Sequence, residues 1–233
     1  MELEKQLKIN TITMGLKVKG LDHVDFDTIP EAERGRFANC VIIKGTDDVE
    51  GKRVATKIFR NGALHMTGAT SMDMAFRVAK HCVMSLGLVS TVSRDDITIN
   101  VQMINASFKV AGKNFMMKEM YESIAGCGDK RLVSVTFEKE DHPAINMKVV
   151  AGCQEQKKPS TILMFRTGSV ILTGMACGEQ MAKAFGLAIE LLTRFRVFTF
   201  DVDVADVTCG VPKKRGRKRK AVTDAFYDDL DLV

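Results

Sequence analysis

Hydrophobic and polar positions alternate along several short runs of the chain, as in strands that bury one face. These runs predict strands over residues 8–18, 37–44, 97–110, 132–137 and 143–150. A strictly alternating run over 197–204 predicts a further half-buried strand.

Between these runs, hydrophobic residues recur at helical spacing. The spacing predicts an amphipathic helix over 71–86, with Ser71 as its N-cap, and a second long helix over 179–195. A shorter helix is predicted over 114–124. Both long helices are expected to pack their apolar stripes on a sheet, so the pattern favours a mixed α+β fold.

One stretch of the chain occurs twice, 106 positions apart. Residues 58–68 read IFRNGALHMTG and residues 164–174 read MFRTGSVILTG. Each copy predicts a β-hairpin, because two apolar runs flank a turn that contains glycine. Such a duplication indicates two structural units about a pseudo-twofold axis. The pairs that are identical are Phe59/Phe165, Arg60/Arg166, Gly62/Gly168, Thr67/Thr173 and Gly68/Gly174.

The composition is that of a folded protein of one large or two small domains. Hydrophobic residues make up 45% of the 233 residues, which excludes a disordered chain. No apolar run approaches the ~20 residues of a membrane span, and the charged first thirty residues predict no signal peptide. The six cysteines are spread without CxxC spacing, which predicts reduced thiols in an intracellular protein.

The positive charge is concentrated near the C-terminus. Residues 213–233 carry seven Lys or Arg and four Asp, which gives +3 of the net +5 and leaves +2 for residues 1–212. If the body of the protein binds nucleic acid, it must therefore use a local surface. From Thr208 onward the composition is that of a basic and then acidic tail, which we expect to be disordered when free.

No catalytic motif is visible in the sequence. There is no Ser-His-Asp set, P-loop, HExxH or zinc spacing, and the four histidines are scattered. DNA glycosylases can carry a related sheet domain, but no glycosylase-type catalytic motif occurs in this sequence. We therefore predict no enzymatic activity, no cofactor, no metal and no small-molecule substrate.

Four segments resemble the TATA-box-binding protein family. The segment RFANCVII, which contains Phe37, is similar to the family's RFAAVIM. ILMFRTGSVILTG over 162–174 is similar to LLIFVSGKIVLTG, and the first hairpin keeps Phe59, Gly62, Thr67 and Gly68. FEKEDHPA over 137–144 is similar to the family's YEPELFPG. The resemblance covers about residues 8–196.

The resemblance implies an α+β fold of two pseudo-repeats, in which one curved antiparallel sheet forms a saddle with the long helices on its convex face. The first repeat would span residues 1–95. The second would span 96–207 and include an extra C-terminal strand, and 208–233 would be the tail.

The resemblance also implies that the concave face binds DNA in the minor groove. Phe37 and Phe59 would form one pair of wedges, and Phe165 and His142 the other. Core burial is the alternative for the phenylalanines. The rest of the implied DNA-binding face consists of Lys57, His65, Thr67, Ile171 and Thr173, with Thr13 and Gln102 in place of the family's two central asparagines, and Lys148 in place of an arginine that reaches phosphate.

Two further segments are interpreted either as binding sites or as solvated surface. Glu138 and Glu140 match the acidic pair that the family presents to transcription factor IIB; the alternative is a solvated turn. Arg215, Gly216 and Arg217 resemble the core of an AT-hook, while the run 213–220 also suits nuclear import or a solvated charge cluster.

The leading hypothesis is a TATA-box-binding-protein-like general transcription factor, with a large DNA virus as the suggested source. It would bind and bend AT-rich promoter DNA and nucleate a complex with a factor IIB-like protein and RNA polymerase, in the nucleus or a viral factory. It would have no membrane partner. The alternative is an architectural or repair-related protein with the same saddle, in which the basic tail supplies sequence-independent affinity.

Overall fold

The computed structural model describes residues 3–29, 39–111, 113–138, 142–151 and 159–201, all within one compact unit, Met1–Asp201. Several predictions concern residues outside these ranges. They are Phe37, Glu140, the Arg215–Arg217 segment, positions 202–204 of the predicted last strand, and the tail.

The described part contains eleven strands and three α-helices. The first half consists of β1 (Leu3–Val18), β2 (Cys40–Thr46), β3 (Arg53–Phe59), β4 (Leu64–Ala69) and α1 (Met72–Ser85). The second half consists of β5 (Ile97–Val110), β6 (Lys113–Phe115), α2 (Met117–Ala125), β7 (Leu132–Glu138), β8 (His142–Val149), β9 (Ser160–Phe165), β10 (Ser169–Met175) and α3 (Gly178–Arg194). The last strand is β11 (Thr199–Asp201), after a short 3-10 turn, Arg196–Phe198.

Nine strands form one antiparallel sheet in the order β2-β3-β4-β1-β5-β10-β9-β8-β7. The two long strands, β1 and β5, pair at its centre and join the two halves. Each duplicated stretch is a hairpin, β3–β4 in the first half and β9–β10 in the second, as predicted. In the described part of the chain, a second sheet is formed by β6 and β11.

The predicted long helices are confirmed, and Ser71 caps α1 by accepting a hydrogen bond from the Met74 amide at 3.1 Å. The short helix begins later than predicted, because Lys113–Phe115 pair with β11 instead. The strand predicted from residue 197 is wrong at its start. Arg196–Phe198 form a 3-10 turn, and β11 begins at Thr199, where it pairs with Phe115.

The helices cover one face of the nine-stranded sheet. Every second residue of the central strands is buried against them, including Met14, Ile58, Met66, Met164 and Leu172. These side chains and the inner residues of α1 and α3 form one continuous core. The alternation read from the sequence thus marks the buried face, because successive side chains of a strand point to opposite sides of its sheet.

An arginine–carboxylate pair ties each long helix to a segment beside the sheet. In the first half, Arg77 of α1 donates Nε to Asp47 Oδ1 at 2.9 Å and an η nitrogen to Oδ2 at 3.0 Å, and this holds the pKa of the buried Asp47 below its usual value. In the second half, Arg131 bridges Asp129 and Glu190 of α3. The hydrogen bonds from Arg131 lower the pKa of Asp129 to about 2.

Candidate nucleic-acid interface

The face of the nine-stranded sheet opposite the helices, called the open face below, is formed by the alternate residues whose side chains point away from the core; Thr161 among them is buried, and the others are at least partly exposed. Its members on the hairpins, the central strands and β8 are Thr11, Thr13, Gly15, Ala55, Lys57, Phe59, His65, Thr67, Gln102, Asn105, Thr161, Leu163, Phe165, Ile171, Thr173, Asn146 and Lys148. All the predicted DNA-binding residues whose side chains the structure describes lie on this face.

The first hairpin presents polar groups on the open face. Lys57 lies directly opposite His65, and Ala55 lies opposite Thr67. Phe59, at the end of β3, is half-buried and not part of the core. Its amide donates to the Ala63 carbonyl at 2.9 Å, which closes the turn.

The second hairpin repeats this register with less polar side chains. Leu163 lies opposite Ile171, and Thr161 lies opposite Thr173. Phe165 is again half-buried at the end of its strand. The two phenylalanines therefore occupy the same position of the two hairpins, on the face that the helices leave open.

Glycine is required in both hairpin turns. Gly62 has φ 71° and Gly168 has φ 78°, in the left-handed region that disfavours other residues. A Cβ on Gly62 would lie 1.8 Å from the Leu21 carbonyl oxygen, and one on Gly168 would lie 2.4 Å from that of Lys113. The repeated glycine thus sets the turn and allows a close backbone contact.

The central strands bring Thr13 and Gln102 close together. Thr13 lies at a register shift, opposite Thr67 of β4 and Met103 of β5. Gln102 extends over Gly15, where a Cβ would meet its amide nitrogen at 3.0 Å. A side chain at position 15 would compete with Gln102 for the middle of the open face.

A row of hydrogen-bonded polar side chains crosses the open face from the central strand β1 into the second half. Asn105 donates Nδ2 to Thr11 Oγ1 at 3.0 Å and accepts a hydrogen bond from the Thr173 hydroxyl. One strand further, Lys148 donates Nζ to Thr161 Oγ1 at 2.8 Å. The sequence reasoning missed Thr11, Asn105 and Thr161. Extending the strand alternation along β1, β5 and β9 would have placed them beside Thr173.

The edge of the sheet holds the remaining predicted residues. Glu138 ends β7 with an exposed side chain, and its backbone pairs with that of His142. Asn146 of β8 lies opposite Leu163, and its side-chain oxygen is buried without a hydrogen-bond partner. The predicted acidic residue Glu138 thus lies at the far end of the sheet from the first hairpin.

The nine strands of the large sheet carry almost no acidic residues. Their only carboxylates are those of Glu4 and Glu138, whereas eight lysines and arginines occur on the same strands. Acidic residues such as Asp73, Glu119 and Glu190 lie on the helices instead. A face with cations, hydroxyls and apolar groups but few anions is suited to a polyanion.

Neither a metal site nor a membrane-spanning helix was found in the described residues. They contain no group of three or more His, Cys, Asp or Glu that could hold a metal ion. Among their helices, none is long and apolar enough to cross a membrane.

Comparison with known proteins gives the fold and nothing finer. No family model and no curated protein matches the chain. Among solved structures, TBP from Methanococcus jannaschii matches with a TM-score of 0.62 and 18% identity, over 82% of this chain and 99% of that protein. A rolling circle replication initiator protein from Geobacillus stearothermophilus matches with a TM-score of only 0.32 and 9% identity, over 83% and 86% of the two chains. The large antiparallel sheet with its three helices is thus similar to the TBP fold.

Proposed function

We propose that the open face binds double-stranded DNA in the minor groove and bends it. The observation that carries this proposal is the equivalent placement of Phe59 and Phe165, half-exposed at the ends of two matched hairpins on the face without helices. We further propose that the two halves are related by a pseudo-twofold axis and that the sheet is curved into a saddle.

The chemistry of the face supports this kind of ligand. The minor groove offers few hydrogen-bonding groups, so a flat surface of apolar side chains with some hydroxyls and amides suits its floor. Apolar rings can enter between base pairs and kink the duplex, as in the TATA-box-binding family. Ile171 and Leu163 supply apolar surface, and Thr173 and Asn105 supply polar groups near the middle of the sheet.

The proposed biological role is that of a TATA-box-binding-protein-like general transcription factor without enzymatic activity. It would nucleate an initiation complex with a factor IIB-like protein, through Glu138 and Glu140, and with RNA polymerase. The Arg215–Arg217 segment would add affinity or serve nuclear import. The proposed location is the nucleus, or a viral factory if the chain is viral.

Bending of an AT-rich duplex labelled at both ends with a fluorescence energy-transfer pair tests this proposal. Phe59→Ala and Phe165→Ala should each reduce the bend, because a methyl group cannot replace a ring between base pairs. Phe76→Ala is the matched control, since Phe76 is also half-buried but lies on α1, behind the sheet. Unchanged bending in both hairpin variants would exclude the proposed mode.

A second candidate function follows from Lys57 and His65, which stand in the first hairpin where the second has Leu163 and Ile171. An architectural or repair-related protein would need less apolar contact with the groove and would obtain more affinity from charge. Removing residues 212–233 distinguishes the two. The architectural protein should lose binding altogether, whereas the transcription factor should bind more weakly and still bend DNA.

A further inference from the structure

Each hairpin turn accepts the same backbone hydrogen bond from an earlier segment of the chain. In the first half, the Val24 amide donates to the Arg60 carbonyl at 2.8 Å; in the second, the Phe115 amide donates to the Arg166 carbonyl at 2.8 Å. Val24 and Phe115 are therefore equivalent positions. The residues that follow them by two, Phe26 and Met117, can be compared directly.

In the first half, an aromatic ring fills the space beside the hairpin arginine. The Arg60 guanidinium lies 4.5 Å from the centroid of the Phe26 ring, within the range of a cation–π interaction. Phe26 is only 6% exposed and belongs to the core. This site of the first half is thus occupied by a ring of the chain itself.

In the second half, the equivalent space is an open cavity. Its volume is about 400 Å³, within the range of binding pockets. The floor and walls are mostly apolar, with Met116 and Phe200 both 39% exposed. The residues that line it are Phe115, Met116, Met117, Lys118, Glu119, Phe137, Pro143, Arg166 and Phe200.

The charges around this cavity are mainly positive. Of the described residues that line it, Arg166 and Lys118 are cationic and Glu119 is acidic. Lys118 forms an ion pair with Glu122 on its own helix at 4.0 Å, a distance at which an exposed pair contributes little. A ligand with an aromatic ring and a carboxylate could pack the ring against the apolar walls and pair the carboxylate with these cations.

We propose that this cavity binds a peptide segment of a partner protein that presents an aromatic side chain flanked by acidic residues. The ring lies beside Arg166 as the Phe26 ring lies beside Arg60, and the carboxylates face Arg166 and Lys118. Exposed methionines adapt to such ligands, because the thioether chain is flexible and polarisable. The cavity is formed by α2, β6 and β11 with the end of β7, the start of β8 and the β9–β10 turn, and none of the residues assigned to the open face lines it.

Fluorescence anisotropy of the full chain with a short fluorescein-labelled peptide tests the proposal. The probe has one phenylalanine between aspartates, and its control has alanine in place of the phenylalanine. The phenylalanine peptide should bind at least about tenfold more tightly. Arg166→Ala should remove most of that difference, whereas Arg60→Ala, the matched variant of the first half, should leave it unchanged.

A second variant fills the cavity with the residue of the first half. Met117→Phe should place a ring beside Arg166, abolish peptide binding and not lower the melting temperature. Equal binding of the two peptides, or undiminished binding to both Arg166→Ala and Met117→Phe, would overturn the proposal. So would a concentration-dependent dimer in sedimentation that Phe200→Ala dissociates, because the occupant would then be a second copy of the chain.

Discussion

The two hairpins of the sheet have the same backbone but offer different chemistry. In β3–β4, Lys57 faces His65; in β9–β10, Leu163 faces Ile171 at the equivalent positions. The phenylalanine that precedes each turn is the same, and so is the glycine within it. The comparison separates what the backbone requires, which is identical, from what a ligand would contact, which differs.

This difference suggests how the two ends of the sheet would share the binding of DNA. The second hairpin has the apolar surface that suits a minor-groove floor. The first has a cation and an imidazole, which are better suited to phosphates or to the negative potential of a narrow groove. The two ends would then contribute unequally to bending and to salt-dependent affinity.

The largest expected effect tests the shared backbone. Gly62→Ala should lower the free energy of unfolding by at least about 3 kcal/mol, because it adds left-handed strain and a contact with the Leu21 carbonyl. Gly51→Ala is the control, since Gly51 has φ 64° and no atom within 4 Å of an added Cβ. It should cost only about 1–2 kcal/mol. Urea denaturation measures both, and equal losses would contradict a requirement for close contact.

The next expected effect tests the difference in side chains between the two hairpins. The double variant Lys57→Leu, His65→Ile gives the first hairpin the side chains of the second. It should make the slope of log affinity against log salt less negative by about one. Leu163→Lys in the second hairpin should make the slope more negative by a similar amount. Anisotropy titrations with an AT-rich duplex at several salt concentrations give the slopes. Slopes that do not respond to either change would show that a lysine at these positions contacts no phosphate, which would contradict the proposed division between the two hairpins.

A smaller effect tests the polar row of the second half. Thr173→Val removes the hydrogen bond to Asn105 and should lower the free energy of unfolding by about 1 kcal/mol. Thr67→Val is the matched variant, because the described part of the first half shows no hydrogen bond of the Thr67 side chain. It should be nearly neutral. Similar losses in the two variants would assign the cost to the sheet and not to the hydrogen bond.

The last test concerns the arginine–carboxylate pairs that tie the helices to the segments beside the sheet. The pKa of Asp129 is about 2, below its usual value of 3.8, so this carboxylate stabilises the fold above about pH 4. That stabilisation should be lost as the pH falls from about 4 to 2. The difference in melting temperature between the parent and Asp129→Asn should shrink over the same window. Asp47→Asn should behave alike in the first half, because Arg77 also lowers the pKa of Asp47.

Local patterns in the sequence were enough to predict most strands, the two long helices and the equivalence of the two hairpins. Alternation over 97–110 and helical spacing over 71–86 and 179–195 predicted β5, α1 and α3, because burial on one face imposes these periods wherever the chain meets the core. The repeated phenylalanine, glycine and threonine identified two equivalent hairpins. The low number of carboxylates on the strands can also be read from the sequence once the strands are known.

Only the tertiary structure decided which groups meet. Thr11, Asn105 and Thr173 lie far apart in the chain, and their hydrogen bonds depend on the registers of β1, β5 and β10, which no local pattern fixes. The ring of Phe26 beside Arg60, and the cavity beside Arg166, likewise depend on long-range packing. The hydrophobic pattern determines which face of an element is buried, whereas strand order and register determine its neighbours.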